Sequence, residues 1–227
     1  MLKRLFDIVA SLIGLVLFSP VLLAMAVWIK LDSPGPVFYL GRRAGRNGKP
    51  FKIVKLRSML VDADKAGKPT ISDDDPRITR SGRFIRRFKL DELTQLINVL
   101  KGDMSLVGPR PEIVYKVECL DEEGRKTLAV PPGITDWASI WNSDQGRLVA
   151  GVPNPDEAYE KIIFPHKLKL RLYYCETRNM LVDLKLIVYT VLKIFRKNWV
   201  PKELRGYPTF DQLRADVEEL AAEKHEL

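Results

Sequence analysis

The chain has 227 residues, a formal net charge of +8 and 46% hydrophobic side chains, which suffices for one membrane element plus one domain with its own core but crowds out a second full domain. The charge is uneven: residues 207–227 carry two basic and six acidic side chains, a net −4 against +12 for the rest. A basic body suits anionic lipid or nucleotide phosphate, whereas the apolar N-terminus and the lack of a recognition motif speak against nucleic acid.

From Ile8 to Ile29 the sequence is uncharged and apolar, long enough at about 1.5 Å per residue to cross a bilayer. Ser19-Pro20 interrupts this run near its middle, and proline removes a backbone donor and kinks a helix. Two readings remain open: a hairpin that dips into the bilayer and returns, or a spanning helix with a tolerated proline. Lys3 and Arg4 precede the run while Lys30, Arg42, Arg43, Arg46 and Lys49 follow it, so positive charge flanks both ends and gives no direction of crossing. The Ser19 hydroxyl is placed to satisfy a carbonyl that Pro20 frees.

Asp32-Ser33-Pro34-Gly35-Pro36 ends the helix, and extended runs at Val37–Leu40 and Phe51–Arg57 around Asn47-Gly48 predict a β-hairpin. The two-residue period sets Ile53, Lys55 and Arg57 on one strand face. A loop over 62–82 leads to a predicted helix from about Gly82 to Leu100, whose apolar positions Phe84, Phe88, Leu93, Leu96, Ile97 and Leu100 keep helical spacing. On that helix Arg83, Arg87 and Asp91 follow one another by single turns. Asp91-Glu92 therefore ends a basic stripe. It is either a surface salt-bridge ladder or a phosphate-handling site in which fixed cations keep a carboxylate ionised for metal binding or attack on phosphorus.

Further on, Pro109-Arg110-Pro111 holds a guanidinium with little freedom left to lose, as a bidentate phosphate or base contact requires, or else merely shapes a turn. A helix is predicted from Ile113 to about Leu128, an irregular segment through Pro155, and two helices over 156–198. The second, Leu181 to about Lys197, carries Leu184, Ile187, Val188, Val191, Leu192 and Phe195 on one face beside several cations, and suits a membrane surface or a packed core. The acidic tail has its own apolar stripe of Phe210, Leu213, Val217 and Leu220. Cys119, Cys175, His166 and His225 lack the number and spacing of a zinc site or redox motif, which points to a reducing, cytosolic-side domain.

Several segments occur together and in one order: Ser19-Pro20, Lys55-Leu56-Arg57-Ser58-Met59, Asp75-Pro76-Arg77, Leu90-Asp91-Glu92-Leu93, Gln95 through Ser105, Val107-Gly108-Pro109-Arg110-Pro111 and Pro132-Gly133-Ile134-Thr135. Over residues 3 to about 200 the chain thereby resembles the monotopic phosphoglycosyl transferases, or bacterial sugar transferase family. The resemblance implies transfer of a phosphosugar from a UDP-sugar to polyprenol phosphate, release of UMP, and initiation of cell-surface glycan assembly. It implies a catalytic dyad of Asp91 and Glu92, with Asp91 as nucleophile and Mg²⁺ ligand, and phosphate contacts from Lys55, Arg57 and Arg86. Nucleotide contacts would come from Pro109, Arg110 and Pro111, and the break in a re-entrant helix from Ser19 and Pro20.

The implied fold is α+β: a re-entrant membrane helix (1–31), a small, mostly helical cytosolic domain with a short β-hairpin and surface amphipathic helices (32–206), and an acidic helical tail (207–227). The setting would be the cytosolic face of a bacterial inner membrane, with membrane lipid as a partner and a homodimer left open. The chain looks like the minimal, single-domain members. It departs from the family pattern at Thr94, where proline is usual after the dyad, and at Asp136, where glycine is common. A catalytically silent scaffold for glycan-assembly enzymes is the alternative, and UMP release separates the two.

Overall fold

The computed structural model describes residues 1–63 and 70–222. Part of the expected 62–82 loop, the last residues of the acidic tail and His225 lie outside the described residues.

Helix α1 runs from Leu2–Asp32 without interruption at Pro20, so the expected break does not divide it into two elements. Pro20 cannot donate to the carbonyl of Val16, and the Ser19 hydroxyl takes over, donating to that oxygen at 2.8 Å. The helix is tied down at both ends and exposed around Pro20. At its start Lys3 pairs with Asp183 at 2.6 Å, Arg4 donates to the carbonyls of Val99 and Leu100, and Asp7 accepts from the Ser105 hydroxyl at 2.8 Å. At its end Asp32 accepts the Ser81 amide at 2.8 Å, and Ile29 is buried with Leu56 and Ile85. The intervening residues Val16 to Val21 are all exposed, an arrangement that fits association with a membrane.

The expected hairpin is present. Strands β1 (Phe38–Ala44) and β2 (Pro50–Leu56) pair antiparallel with Tyr39 opposite Lys55. Their turn uses positive φ at Asn47 (55°) and Gly48 (75°), the conformation that Asn-Gly accepts at least cost. By contrast, the predicted 82–100 helix is three elements: α2 (Arg80–Arg87), a 3₁₀ segment (Leu90–Gln95) and α3 (Leu96–Lys101). Lys89 adopts a left-handed conformation (φ 57°) and breaks the run. Both short helices satisfy the apolar spacing, so periodicity alone did not distinguish them from one long helix.

A second, parallel pair unites β3 (Ser105–Val107) and β4 (Gly133–Thr135). Strands this short carry no alternating signal. The approach is close enough that a side chain at Gly133 would strike the backbone of Gly108 at 2.0 Å. The predicted 113–128 helix is likewise divided, into Val114–Glu118, Glu122–Arg125 and a 3₁₀ turn.

Helices α4 (Phe164–Thr177) and α5 (Met180–Phe195) are the two expected between 156 and 198. Leu170, Tyr174 and Leu186 from them enclose Trp137, Ile140 and Val107 in the main core, each buried apolar side chain contributing about 1.5–3 kcal/mol. The apolar stripe of α5 is largely outward: Leu184, Val188, Val191, Leu192 and Phe195 are exposed. Helix α6 (Phe210–Ala222) buries Leu213 and Val217 against Leu148, Tyr159 and Ile163.

Candidate active site

The Thr79 side chain caps α2 by accepting the Gly82 amide at 3.0 Å, and the left-handed Lys89 then redirects the chain into the 3₁₀ segment that carries Asp91 and Glu92. Arg83 and Arg87 consequently lose the expected register with Asp91. The cations that meet the carboxylates come from elsewhere in the chain. Lys55 on β2 places Nζ 3.5 Å from Asp91 Oδ2 and 3.4 Å from Glu92 Oε1. Arg110 grips Glu92 with both terminal nitrogens, Nη1 donating to Oε2 at 2.9 Å and Nη2 to Oε1.

The two carboxylates are thus unequal. Burial by itself would raise the Glu92 carboxyl, but the Arg110 guanidinium and the Lys55 ammonium outweigh it and hold Glu92 well below the usual carboxylate range. Glu92 is ionised throughout the physiological range and fully engaged. Asp91, its side chain 10% exposed, makes among the described residues only the long side-chain contact to Lys55, so its carboxylate is less engaged than that of Glu92. The Thr94 hydroxyl lies 3.0 Å from the Val54 carbonyl and 3.1 Å from that of Asp91, so Thr94 ties the turn that carries Asp91 and Glu92 to β2.

Arg57 turns toward the end of α1. Its guanidinium donates to the Ser33 carbonyl at 2.7 Å, to Ser33 Oγ at 3.0 Å and to the Pro34 carbonyl, capping the end of α1. It lies one residue past β2, so the strand period no longer governs it, and the unsatisfied carbonyls of a helix end attract a cation. Arg86 is half-buried without a hydrogen bond or ion pair among the described residues, near enough to Asp75 to help Arg77 lower that carboxyl. The structure therefore joins Lys55, Asp91, Glu92 and Arg110 by ion pairs, flanked by Pro109 and Pro111, while among the described residues neither Arg57 nor Arg86 bonds to either carboxylate.

Behind Arg110 lies a buried polar framework that the sequence reading did not identify. Asp136 accepts the Arg110 amide at 3.1 Å through Oδ2, and through Oδ1 the amide and hydroxyl of Ser139, each at 2.7 Å. Arg171 pairs with Glu112 at 2.6 Å, and Tyr159 donates to the same carboxylate at 3.2 Å. Lys167, one turn before Arg171, is buried against the Tyr159 ring and donates to Gln145. Burial first, then the neighbouring Arg171, pushes its ammonium down to about 7. A sequence signal did exist: Lys167, Leu170, Arg171 and Tyr174 share one face of α4, which sets two cations among core positions.

Among the described residues no three His, Cys, Asp or Glu side chains gather into a metal cluster. Two carboxylates thus meet two cations, Lys55 and Arg110, in a domain that also carries a largely exposed apolar helix. The chain belongs to the bacterial sugar transferase family, whose profile matches residues 1–197. It is 39% identical over 204 residues to the UDP-glucose:undecaprenyl-phosphate glucose-1-phosphate transferase of Escherichia coli, covering 86% of this chain and 40% of that protein. Over 142 residues it is 47% identical to the UDP-N-acetylgalactosamine-undecaprenyl-phosphate N-acetylgalactosaminephosphotransferase of Aeromonas hydrophila, covering 61% of this chain and 34% of that one. The exopolysaccharide production protein PSS of Rhizobium leguminosarum is 39% identical over 202 residues, 84% of this chain and 94% of its own. The chain spans only about a third to two fifths of the length of the Escherichia coli and Aeromonas relatives.

Proposed function

We propose that this chain transfers a phosphosugar from a UDP-sugar to polyprenol phosphate at the cytosolic face of a bacterial inner membrane, through a covalent phosphosugar on Asp91. The observation that carries the reading is the inequality of the two carboxylates: Glu92 is clamped by Arg110 while Asp91 is held only loosely by Lys55. The names of the relatives, which act on UDP-sugars and undecaprenyl phosphate, support the substrate classes.

In the first displacement an Asp91 oxygen attacks the sugar-bearing phosphorus, the bond from that phosphorus to the bridging oxygen breaks, and UMP leaves with that oxygen and its electron pair. In the second, a phosphate oxygen of the lipid attacks the same phosphorus and Asp91 departs as a carboxylate. Lys55 meets the charge that develops between donor and nucleophile. Arg110 is fixed by Asp136 through its amide and shared between Glu92 and the incoming diphosphate. Glu92 orients Arg110, and its firmly ionised state makes it unsuited to donate a proton. Mg²⁺ suits this donor set, because that ion takes few carboxylates and completes its shell with phosphate oxygens and water. Asp91 and the diphosphate would hold it, and when bound it neutralises phosphate charge.

A re-entrant course for α1 is supported by its anchors. A spanning helix would carry Lys3 and Arg4 across the bilayer from Asp183, Val99 and Leu100, to which they are bonded. The function is tested by offering a panel of UDP-sugars to the protein in nanodiscs and measuring UMP. Release with at least one sugar, dependent on polyprenol phosphate at substrate levels and lost in Asp91→Asn, is expected. No release with any sugar would leave the silent scaffold as the better account.

A further inference from the structure

Helix α2 and the residue that caps its end expose two aromatic rings that do not serve the core. Phe84 and Phe88 are 40% and 44% exposed, their centroids 4.8 Å apart. Phe84 in turn lies 5.3 Å from Trp28 in the second half of α1. Beneath this ladder Leu22, Met25 and Leu90 pack with Ile29 and Ile85, so the exposed rings continue the apolar surface of the membrane helix toward the 3₁₀ segment, where Asp91 follows Phe88 by three residues. Arg83 and Arg87 are exposed one turn apart beside the rings, with Arg87 5.7 Å from the Phe88 centroid, and neither has an ion pair among the described residues.

An exposed aromatic strip in a water-facing domain is costly unless something covers it. Here its occupant must be apolar along the rings, continuous with the bilayer, and anionic where the arginines stand. Bulk acyl chains meet the first two conditions but have no reason to end at a carboxylate nucleophile. We propose that Trp28, Phe84 and Phe88 form the track on which the isoprenoid chain of the lipid acceptor lies, with Arg83 and Arg87 receiving its phosphate on the approach to Asp91. The inference rests on the transferase reading for the identity of the acceptor and goes beyond it by assigning the acceptor a place.

The test uses the full chain in phosphatidylglycerol nanodiscs with a polyprenyl phosphate that bears a photoreactive group in its first isoprene units. Labelled peptides should map to residues 80–90. Phe84→Ala/Phe88→Ala should lower labelling by about fivefold or more, while Phe84→Leu/Phe88→Leu should restore most of it. In Arg83→Gln/Arg87→Gln the preference for the phosphorylated probe over the free polyprenol should disappear. Thermal transitions and retention in the nanodisc monitor folding, and the arginine pair, lying outside the core, gives a reading independent of the aromatic one. Labelling centred on the exposed face of α5, labelling unchanged in both double variants, or displacement by added phosphatidylglycerol as readily as by polyprenyl phosphate would overturn the track. Because labelling needs no turnover, absence of UMP release would count against the transferase reading alone, and UMP release with labelling elsewhere would count against the track alone.

Discussion

Replacing Arg110 by alanine removes the partner of a carboxylate that is itself only 18% exposed. Breaking a buried pair on one side costs about 3–5 kcal/mol, because the remaining charge stays buried. Lys55 remains 3.4 Å from Glu92, which puts the expected loss near the lower end, about 3 kcal/mol. The loss should depend on pH. In the wild type the Glu92 carboxyl is depressed, so its contribution is complete above the unfolded value of about 4.3 and is lost only as pH falls through the folded value. In Arg110→Ala burial is left as the larger influence and raises the folded value above the unfolded one. Stability should then fall as pH rises from about 5 to 8, since the folded state holds the proton more tightly than the unfolded state. Urea unfolding in detergent micelles across this range measures both effects, and Glu92→Gln/Arg110→Ala should recover much of the stability and flatten the profile. A loss below about 1 kcal/mol, with the pH profile of the wild type retained, would refute a buried, structurally significant pair.

Asp91→Asn should abolish turnover with unchanged unfolding, and the wild type incubated with UDP-sugar alone should gain one phosphosugar in intact mass; full activity in the variant would remove Asp91 as nucleophile. Thr94→Val should strip the shared donor from the Val54 and Asp91 carbonyls, costing about 1–3 kcal/mol and lowering kcat more than KM, whereas unchanged kcat would disconnect that tie from the dyad. Lys167, pushed down to about 7, binds its proton less tightly folded than unfolded, so wild-type stability should rise from pH 7 to 9 relative to Lys167→Met, as read by urea unfolding; parallel profiles would contradict the burial effect. Single cysteines at positions 3 and 46, in a background lacking Cys119 and Cys175, should both resist an impermeant thiol reagent in spheroplasts and both react after lysis; labelling of position 3 from outside would refute a re-entrant α1.

Local chemistry was legible wherever it acted through neighbours in sequence. Asn47-Gly48 announced the β1–β2 turn, apolar spacing announced α5, and Ser19 was foreseen as the donor to the carbonyl that Pro20 frees. Motif order brought Asp91, Glu92, Lys55 and Arg110 into one site, and the structure joins those four. What escaped depended on distant partners. Nothing about lysine announces a left-handed residue, so the helix break at Lys89 was hidden by compatible spacing. The strand period set Arg57 beside Lys55, yet the carbonyls at the end of α1 bind its guanidinium. The framework of Glu112, Asp136 and Arg171 joins residues far apart in the chain; the sequence singled out Asp136 but not its partners.

The anchors of α1 give the membrane helix a second role besides attachment. Arg57, which caps its far end, directly follows β2, the strand that carries Lys55. Arg4, near its start, binds the final carbonyls of α3, which continues from the 3₁₀ segment of Asp91 and Glu92. The two structural units that bring the cation and the carboxylates together are therefore each fastened to one end of the same helix. The Thr94 link between Val54 and the dyad turn closes the loop. The transfer proposed above, from a water-borne donor to a lipid-borne acceptor, requires a site at one depth relative to the bilayer. Building the site on both ends of α1 would accomplish that, because any shift of the helix would move Lys55 and Asp91 with it.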